Sequence, residues 1–337
     1  MSLGTTFKRS TQLMAASLVA LLTIYTVTVM PSSAFADDEK KDLAAPEATA
    51  KVKVDDVVPA GTELGETKPT RPDTDEVITN RKLRAETGAK KTYSASASLS
   101  YSGGSVSDPF GDTRPNITSA AGTQIAPRFG GTVGFNYRLN SLNSLFASIG
   151  VGVDRPFHSG QGQSFGDRTS ASNPTLGYQT LYKVLGIQNV TQVSATAFTT
   201  NYYRSIDQSA GLGVTQTLVY DFGGSKFSLG TTFSVASNFF DGRNNFDQQA
   251  DWNIGAFPFF EYVISDSLNF RTLVGFMADH YKQEDSASTW NPNTIYSSMG
   301  IGISVTRDLF LYPNIQFIPE DIRTSRTNAA ISANLNL

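Results

Sequence analysis

The chain ends in a strictly alternating segment, Thr327-Asn328-Ala329-Ala330-Ile331-Ser332-Ala333-Asn334-Leu335-Asn336-Leu337. Apolar side chains occupy every odd position from 329 to 337, and amides or hydroxyls occupy most of the even ones. Successive side chains of a β-strand point to opposite faces, so the segment predicts a strand with one apolar and one polar face. The pattern recurs upstream, for example over residues 145–153. One such strand fits any sandwich, whereas about a dozen favour a closed barrel with lipid outside and water inside.

The first 36 residues have the three parts of a secretory signal peptide. Lys8 and Arg9 precede an apolar run from Leu13 to about Met30, and Ala34-Phe35-Ala36 supplies small residues at a cleavage site. We therefore expect residues 1–36 to be a removed signal peptide. The alternative is an uncleaved membrane anchor, which the threonines within the run make less favourable.

The composition excludes several kinds of site. The absence of cysteine rules out disulfides, thiolate metal sites and lipidation at the signal. Cleavage after residue 36 removes Lys8 and Arg9 but no acidic residue, so the formal net charge falls from −3 to −5. This balance argues against a nucleic-acid partner.

Residues 37–91 form a second region, dense in charge and without Phe, Tyr or Trp. Such a segment buries too little apolar surface to offset its ordering entropy, so we expect a disordered charged extension. Only residues 76–86 have the pattern of a short helix or of packing at a barrel mouth. A plug inserted in the lumen and a tether to peptidoglycan remain as functional alternatives to a plain linker.

From residue 92 onward, charge gives way to Gly, Ser, Thr, Asn and aromatic residues. Short and long connections alternate along this region, and an even number of strands places both ends of the barrel region on one side. The pattern predicts twelve strands, near 93–102, 126–139, 144–154, 175–184, 192–200, 209–221, 226–237, 252–264, 268–280, 294–306, 309–317 and 327–337.

These features together resemble the bacterial outer-membrane β-barrel (porin-like) class, over residues 92–337 and without pointing to a subfamily. The resemblance implies an all-β fold, a single closed antiparallel transmembrane barrel in the outer membrane, with residues 37–91 in the periplasm. It also implies outer-membrane lipid, lipopolysaccharide and the barrel-assembly machinery as partners. The class usually ends in an aromatic residue that this machinery reads, and Leu337 stands there instead.

The inward positions of the predicted strands are mostly small or polar, which leaves room for water. Inward charges of both signs favour a weakly selective channel for passive diffusion of small hydrophilic solutes. The alternative is that these charges pair across strands and close the lumen, giving a closed structural or adhesin-like barrel. The predicted lumen-lining charged residues are Arg128, Arg138, Asp154, Lys183, Asp221, Lys226, Glu261, Arg271 and Asp279.

An enzyme is the rival class. Outer-membrane phospholipases use a His–Ser pair with an amide that orients the histidine, and His158, Ser159 and Asn173 offer these groups. Adjacent strand residues point to opposite faces, so His158 and Ser159 are poorly placed to share a proton, and we expect no enzyme. His280 is expected to be an interfacial residue. Acidic loop clusters such as 108–112 match no complete calcium loop, so neither a metal nor a cofactor is expected.

Overall fold

The computed structural model describes residues 73–87, 90–118, 123–158, 169–242, 249–282 and 288–337. All of these lie in one compact unit, Thr67–Leu337; the other unit, Met1–Glu66, lies outside the described residues, as does the predicted signal peptide. Within the described residues, no helix has both the length and the apolar character needed to cross a membrane.

The structure confirms an all-β, closed antiparallel barrel of twelve strands. Each strand pairs with the next along the chain, and the last pairs with the first through contacts such as Tyr101 opposite Ile331. In chain order the strands are β1 (Tyr93–Ser105), β2 (Arg128–Arg138), β3 (Asn143–Asp154), β4 (Thr169–Val184), β5 (Ile187–Ala197), β6 (Gln208–Asp221), β7 (Phe227–Phe240), β8 (Ala250–Val263), β9 (Leu268–Lys282), β10 (Tyr296–Ser304), β11 (Leu309–Phe317) and β12 (Asn328–Asn336).

In the part of the chain that the structure describes, the barrel is accompanied by three short helices, additional short strands and a 3-10 turn. Two short helices precede it, α1 (Thr74–Val77) and α2 (Arg81–Thr87), and a third, α3 (Asn201–Ser205), follows β5. An extra strand, Ser288–Pro292, pairs with the end of β9, and Arg114–Pro115 pairs with Gln124–Ile125 in the first long loop. A 3-10 turn over Thr324–Arg326 leads into β12.

Short connections gather at one end of the barrel, the turn end, and long connections at the other, the loop end. The turn between β4 and β5 corrects the sequence-based segmentation, which extended it from Leu185 to Thr191. It consists of Leu185 and Gly186 alone, with φ of 51° and 83°. Two positive φ values fit a two-residue primed turn, whose twist matches that of the paired strands. Strand β5 therefore begins at Ile187, and Gln188 becomes a strand residue near the turn end.

Three prolines lie within the barrel strands, Pro174, Pro258 and Pro313, and each sits where a ladder is interrupted, as its missing N–H requires. The pairing of β3 with β4 shifts register beside Pro174. Pro258 pairs with β7 opposite Thr231, while the pairing of β8 with β9 stops at Ala256 and resumes at Phe259. The pairing of β10 with β11 is likewise interrupted beside Pro313.

The alternation of the sequence assigns the two faces of the wall. Leu212 and Val214 are 51% and 40% exposed on the outside, whereas Thr215 lines a cavity inside the barrel. The residues that we expect to face lipid all have this outward parity: Ile149, Val151, Leu212, Val214, Phe233, Val274, Ile301 and Ile331. The register predicted from the sequence is therefore correct.

One patch of the outer face is polar and satisfies its own hydrogen bonds. Between β4, β5 and β6, the Thr191 hydroxyl donates to the Gln216 amide oxygen, and Gln216 Nε2 donates to Asn189 Oδ1 over 3.2 Å. Tyr182 joins the same group through its hydroxyl, 3.2 Å from Thr191 Oγ1. Neighbouring side chains cover the three smaller residues almost completely. The patch therefore presents few free polar groups.

Residues 73–87 correct the expectation of a disordered extension, because they form α1 and α2 and pack inside the barrel. A capping box starts α1, in which the Asp73 side chain accepts from the helix backbone and the Glu76 side chain accepts from Asp73 N–H. Val77, Ile78 and Leu83 then pack on an apolar floor of inward-facing wall residues. That floor consists of Leu181, Val190, Val219 and Phe259. Residues 76–86 are ordered, but as the end of α1 and most of α2 with a non-helical stretch at 78–80 between them, and not as one helix. Residues 37–72 lie outside the described part of the chain.

The outward and inward positions of β6 provide a matched test. Arginine at Val214 would lie on the apolar exterior. Val214→Arg should therefore destabilise the barrel in lipid vesicles, lowering its free energy of unfolding by about 2–4 kcal/mol. Arginine at the adjacent Thr215 would enter the water-accessible cavity and should change the free energy much less. Urea titration in vesicles measures both, and equal losses would show that the assigned faces are wrong.

Candidate functional site in the barrel lumen

The turn end of the lumen is occupied by residues 73–87, here called the plug. Its polar contacts reach around the barrel wall. Thr74 Oγ1 donates to Ser141 O in the β2–β3 turn over 2.7 Å and accepts from Arg138 Nη1, also over 2.7 Å. Across the lumen, Asp75 pairs with Arg307 in the β10–β11 turn, 2.7 Å away. The plug therefore bridges widely separated strands.

The middle of the plug is held by β5 and β6. The backbone N–H groups of Thr79 and Asn80 both donate to Gln188 Oε1, over 2.8 and 2.9 Å. Gln188 Nε2 and the Thr79 hydroxyl in turn donate to Asp221 Oδ2, each over 2.6 Å. Gln188 is 1% exposed, so water does not reach its side-chain amide. The hydrogen bonds to the plug and to Asp221 satisfy this amide, which burial would otherwise leave unpaired. Asp221, predicted as a lumen charge, thus anchors the plug.

A buried ion pair on β8 and β9 supplies the next anchor. Arg271 bonds to Glu261, and both are about 5% exposed or less. The guanidinium lies 3.8 Å from the Phe259 ring centroid, and the second carboxylate oxygen of Glu261 accepts from Asn80 Nδ2 over 2.8 Å. A buried charge is tolerated when it is paired and its remaining lone pairs are bonded. Here the barrel supplies the counter-ion and the plug supplies the last hydrogen bond.

The pairing of Asp75 with Arg307 lies outside the strands, where it is partly exposed. Arg307 donates from Nε and Nη2 to the carboxylate and also bonds to Asp308. The hydrogen bonds from Arg307 lower the pKa of Asp75 from 3.8 to about 2, with a further contribution from Lys90. The same contacts raise the pKa of Arg307. This pair is therefore charged throughout the neutral range.

On the loop side of the plug, the lumen holds a cavity of about 360 Å³. Its floor is α2 of the plug, through Lys82, Ala85 and Glu86. Hydroxyl and amide residues from eight strands make up most of its wall, and Ala97, Phe146, Val190 and Leu335 also line it. The hydroxyl and amide residues are Ser96, Ser98, Thr132, Asn136, Ser148, Gln179, Gln192, Thr215, Thr217, Thr232, Asn334 and Asn336. A polar, roomy wall of this kind accommodates water. Glycines and hydroxyl side chains thus leave space where larger residues would fill the barrel.

The other predicted lumen charges lie apart from the plug. Arg128 and Asp154 pair across β2 and β3 near the loop end, 3.2 Å apart and about half exposed. Asp279 accepts from Asn253 Nδ2 over 2.6 Å. Lys183 and Lys226 are exposed at or beside the turn end. The predicted charges therefore comprise plug anchors, a loop-end ion pair, two exposed lysines and Asp279, which bonds to an amide. Two ion pairs, Arg128–Asp154 and Arg271–Glu261, each join adjacent strands.

The residues of the enzyme hypothesis are not brought together among the described residues. His158 Nε2 bonds to the backbone oxygen of Phe110, and Ser159 lies outside the described part of the chain. Asn173 bonds to Thr199, beyond the end of β5: its backbone N–H donates to Thr199 Oγ1 over 2.9 Å, and its Oδ1 accepts from the Thr199 N–H over 3.0 Å. His280 packs against Trp290 on the outward parity of β9. In the described ranges, no cluster of three or more His, Asp or Glu residues is arranged to hold a metal ion.

Sequence reasoning missed the partners that hold the plug: Asp75, Thr79, Asn80, Gln188 and Arg307. The spacing of Asp73 and Glu76 carried a usable signal, since it is the pattern of a capping box. Val77, Ile78 and Leu83 also stand out as apolar residues in a charged segment. No local signal indicated that Asn80 would meet Glu261, because the contact joins residues 181 positions apart.

The lowered pKa of Asp75 predicts how plug docking depends on pH. The contribution is present above pH 3.8 and is lost as pH falls through about 2, because a depressed pKa marks a carboxylate stabilised in the folded state. Screening at this partly exposed site limits it to about 1 kcal/mol. At pH 5, amide hydrogen exchange over residues 81–87 should be about fivefold faster in Asp75→Asn than in the parent protein.

That difference should shrink towards none near pH 2, and comparing the two proteins at each pH cancels the intrinsic pH dependence of exchange. A constant difference from pH 5 to pH 2 would show that ionisation of Asp75 does not hold the plug.

No protein-family model matches the chain, and no curated protein matches its sequence. Among solved structures, it is similar to an outer-membrane channel from Pseudomonas putida F1, with 13% identity and a TM-score of 0.48 over 74% of this chain and 96% of that chain. It is also similar to Salmonella typhi OmpF in complex with daunomycin, with 11% identity and a TM-score of 0.34 over 73% of this chain and 96% of that one. A third is the NanC porin, with 11% identity and a TM-score of 0.39 over 72% and 97%.

Proposed function

We propose that this protein is a bacterial outer-membrane channel for passive diffusion of small hydrophilic solutes, and that the plug gates its turn end. One observation carries the proposal: the turn end is filled by a segment that precedes the barrel, and not by the side chains of the barrel strands. The wall beyond the plug is hydrophilic and leaves a cavity of about 360 Å³. Displacing the plug would join this cavity to the turn end.

Weak selectivity follows from the charges of the lumen. Arg128 pairs with Asp154 and Arg271 pairs with Glu261, and the other charges predicted for the wall, Arg138, Lys183, Asp221, Lys226 and Asp279, are also of both signs. A ring of one sign would be needed to favour cations or anions strongly. Small neutral or zwitterionic solutes are therefore the proposed cargo, and no catalytic role is assigned to His158.

The apolar exterior supports a location in the outer membrane, with lipid and lipopolysaccharide around the barrel. Backbone groups in lipid must bond within the protein, and the closure of β12 on β1 meets that need. We place the turn end and the extension 37–91 in the periplasm, following removal of residues 1–36, with insertion by the barrel-assembly machinery. The oligomeric state does not enter the proposal.

Planar-bilayer conductance tests the function. We expect rare, stepwise, salt-dependent openings for the mature chain 37–337, and frequent openings for the truncation 92–337, which lacks the plug. The variant Leu83→Asp should act like the truncation in the full mature chain, because Leu83 is 4% exposed and a carboxylate cannot remain in that apolar contact.

The matched control is Leu185→Asp, the same change at a turn residue that is 89% exposed. It should conduct like the parent chain. Absence of openings in the mature chain, the truncation and Leu83→Asp alike would reject the channel in favour of a closed structural or adhesin-like barrel. Equal conductance of the parent chain and Leu83→Asp would reject the plug as a gate.

A further inference from the structure

A second, smaller cavity of about 190 Å³ lies between the plug and the barrel wall at the turn end. The plug contributes Arg81 and Arg84, which are three residues apart on α2 and therefore lie on the same side of the helix. The barrel contributes Asp266, Ser304, Thr306 and Arg307. Three guanidinium groups thus converge on one small space at the junction of two separate parts of the chain.

Several donors in this space are free or only partly used. Within the described residues, the Arg84 guanidinium makes no hydrogen bond or ion pair, and the buried Ser304 hydroxyl has no partner. Arg81 uses Nη1 to donate to Ser265 O over 2.8 Å, which orients its guanidinium and leaves other donors available. A buried hydroxyl without a partner is unusual and calls for a specific occupant.

The balance of charge in the cavity favours an anion. Arg307 is already neutralised by Asp75 and Asp308. Arg81 and Arg84 remain, opposed by Asp266 alone, which is exposed and forms no ion pair with either of them in the described structure. Guanidinium groups present paired N–H donors in a fixed plane, a geometry that matches the oxygens of phosphate and carboxylate groups.

We propose that this cavity binds a small free oxyanion, a phosphate or a carboxylate, between the plug and the barrel. Arg84 and Arg81 hold the anion from the plug side, and the Ser304 hydroxyl donates to it from β10. Because the site is complete only when the plug is docked, the anion stabilises the docked state by mass action. Binding of the oxyanion therefore favours the state in which the plug closes the turn end.

The experiment reports plug docking directly and does not depend on conduction, so it can fail independently of the proposed channel. The chain lacks cysteine, which allows a single reporter, Ile78→Cys, at a plug position that is 0% exposed and lines neither cavity. A thiol reagent labels this cysteine only when the plug leaves the wall. Inorganic phosphate should slow labelling in the full mature chain by the factor 1 + [phosphate]/Kd, about tenfold at ten times Kd, relative to chloride at equal ionic strength.

The labelling rate is also measured in acetate at matched ionic strength. Slowing by acetate would indicate a carboxylate site, and slowing by phosphate alone would indicate a phosphate site. Arg84→Gln should abolish most of the slowing by the effective anion. Lys82→Gln removes the same charge from the face of α2 that lines the larger cavity, so it should keep the slowing. Ser304→Ala alters the barrel side and should weaken the anion effect severalfold while leaving labelling in chloride unchanged.

Equal labelling in phosphate, acetate and chloride at matched ionic strength would overturn the proposal. So would an equal loss of the anion effect in Arg84→Gln and Lys82→Gln, which would indicate general screening of the charged plug. An effect that survives in both Arg84→Gln and Ser304→Ala would place the anion elsewhere.

Discussion

The structure depends on the closure of β12 against β1, which completes a ring of backbone hydrogen bonds. Once Ile331 is opposite Tyr101, every strand has two partners, and each side chain is assigned to the outside or the lumen by its parity. Leu212 and Val214 then face outward, while Gly213 and Thr215, which alternate with them, face inward. Closure of the barrel therefore produces both the lumen and the apolar exterior, and neither depends on another part of the chain.

Within the lumen, the plug docks where the inward-facing side chains of the wall change from apolar to polar. Near the turn end, Leu181, Val190 and Val219 point inward and form an apolar floor, whereas the wall further up carries hydroxyls and amides. Val77, Ile78 and Leu83 of the plug bury their apolar surface at that floor, and Ala85 packs with Phe310 and Tyr312 of β11. The polar contacts, such as those of Gln188, then select one orientation, because a buried amide left without its partners is costly. Apolar burial thus determines the depth of the plug, and hydrogen bonds determine its rotation.

Much of the fold was predictable because period-two alternation is a local property of the sequence. The twelve strands and the outward residues of β3, β6 and β12 follow from it directly. The turn at Leu185-Gly186 was misjudged because the polar residues after it resemble a loop but belong to β5. Gln188 faces the lumen, and Asn189 and Thr191 lie in the polar patch of the outer face. The plug was predictable only as a short helix. Its docking was not, since pairs such as Asn80 with Glu261 and Asp75 with Arg307 join residues more than 180 positions apart.

The barrel does not need the plug to satisfy its buried charges. Glu261 keeps its counter-ion Arg271 on the adjacent strand, and Phe259 covers that guanidinium, whether or not Asn80 is present. When the plug leaves, water from the lumen can replace the Asn80 amide and the two backbone N–H groups on Gln188, so no unpaired charge is stranded. The ion pair of Asp75 with Arg307 does break, but it is partly exposed, so solvent screens both charges, and Arg307 keeps Asp308 as a partner. The arrangement therefore permits two states of the plug on one unchanged barrel, which is what a gate at the turn end requires.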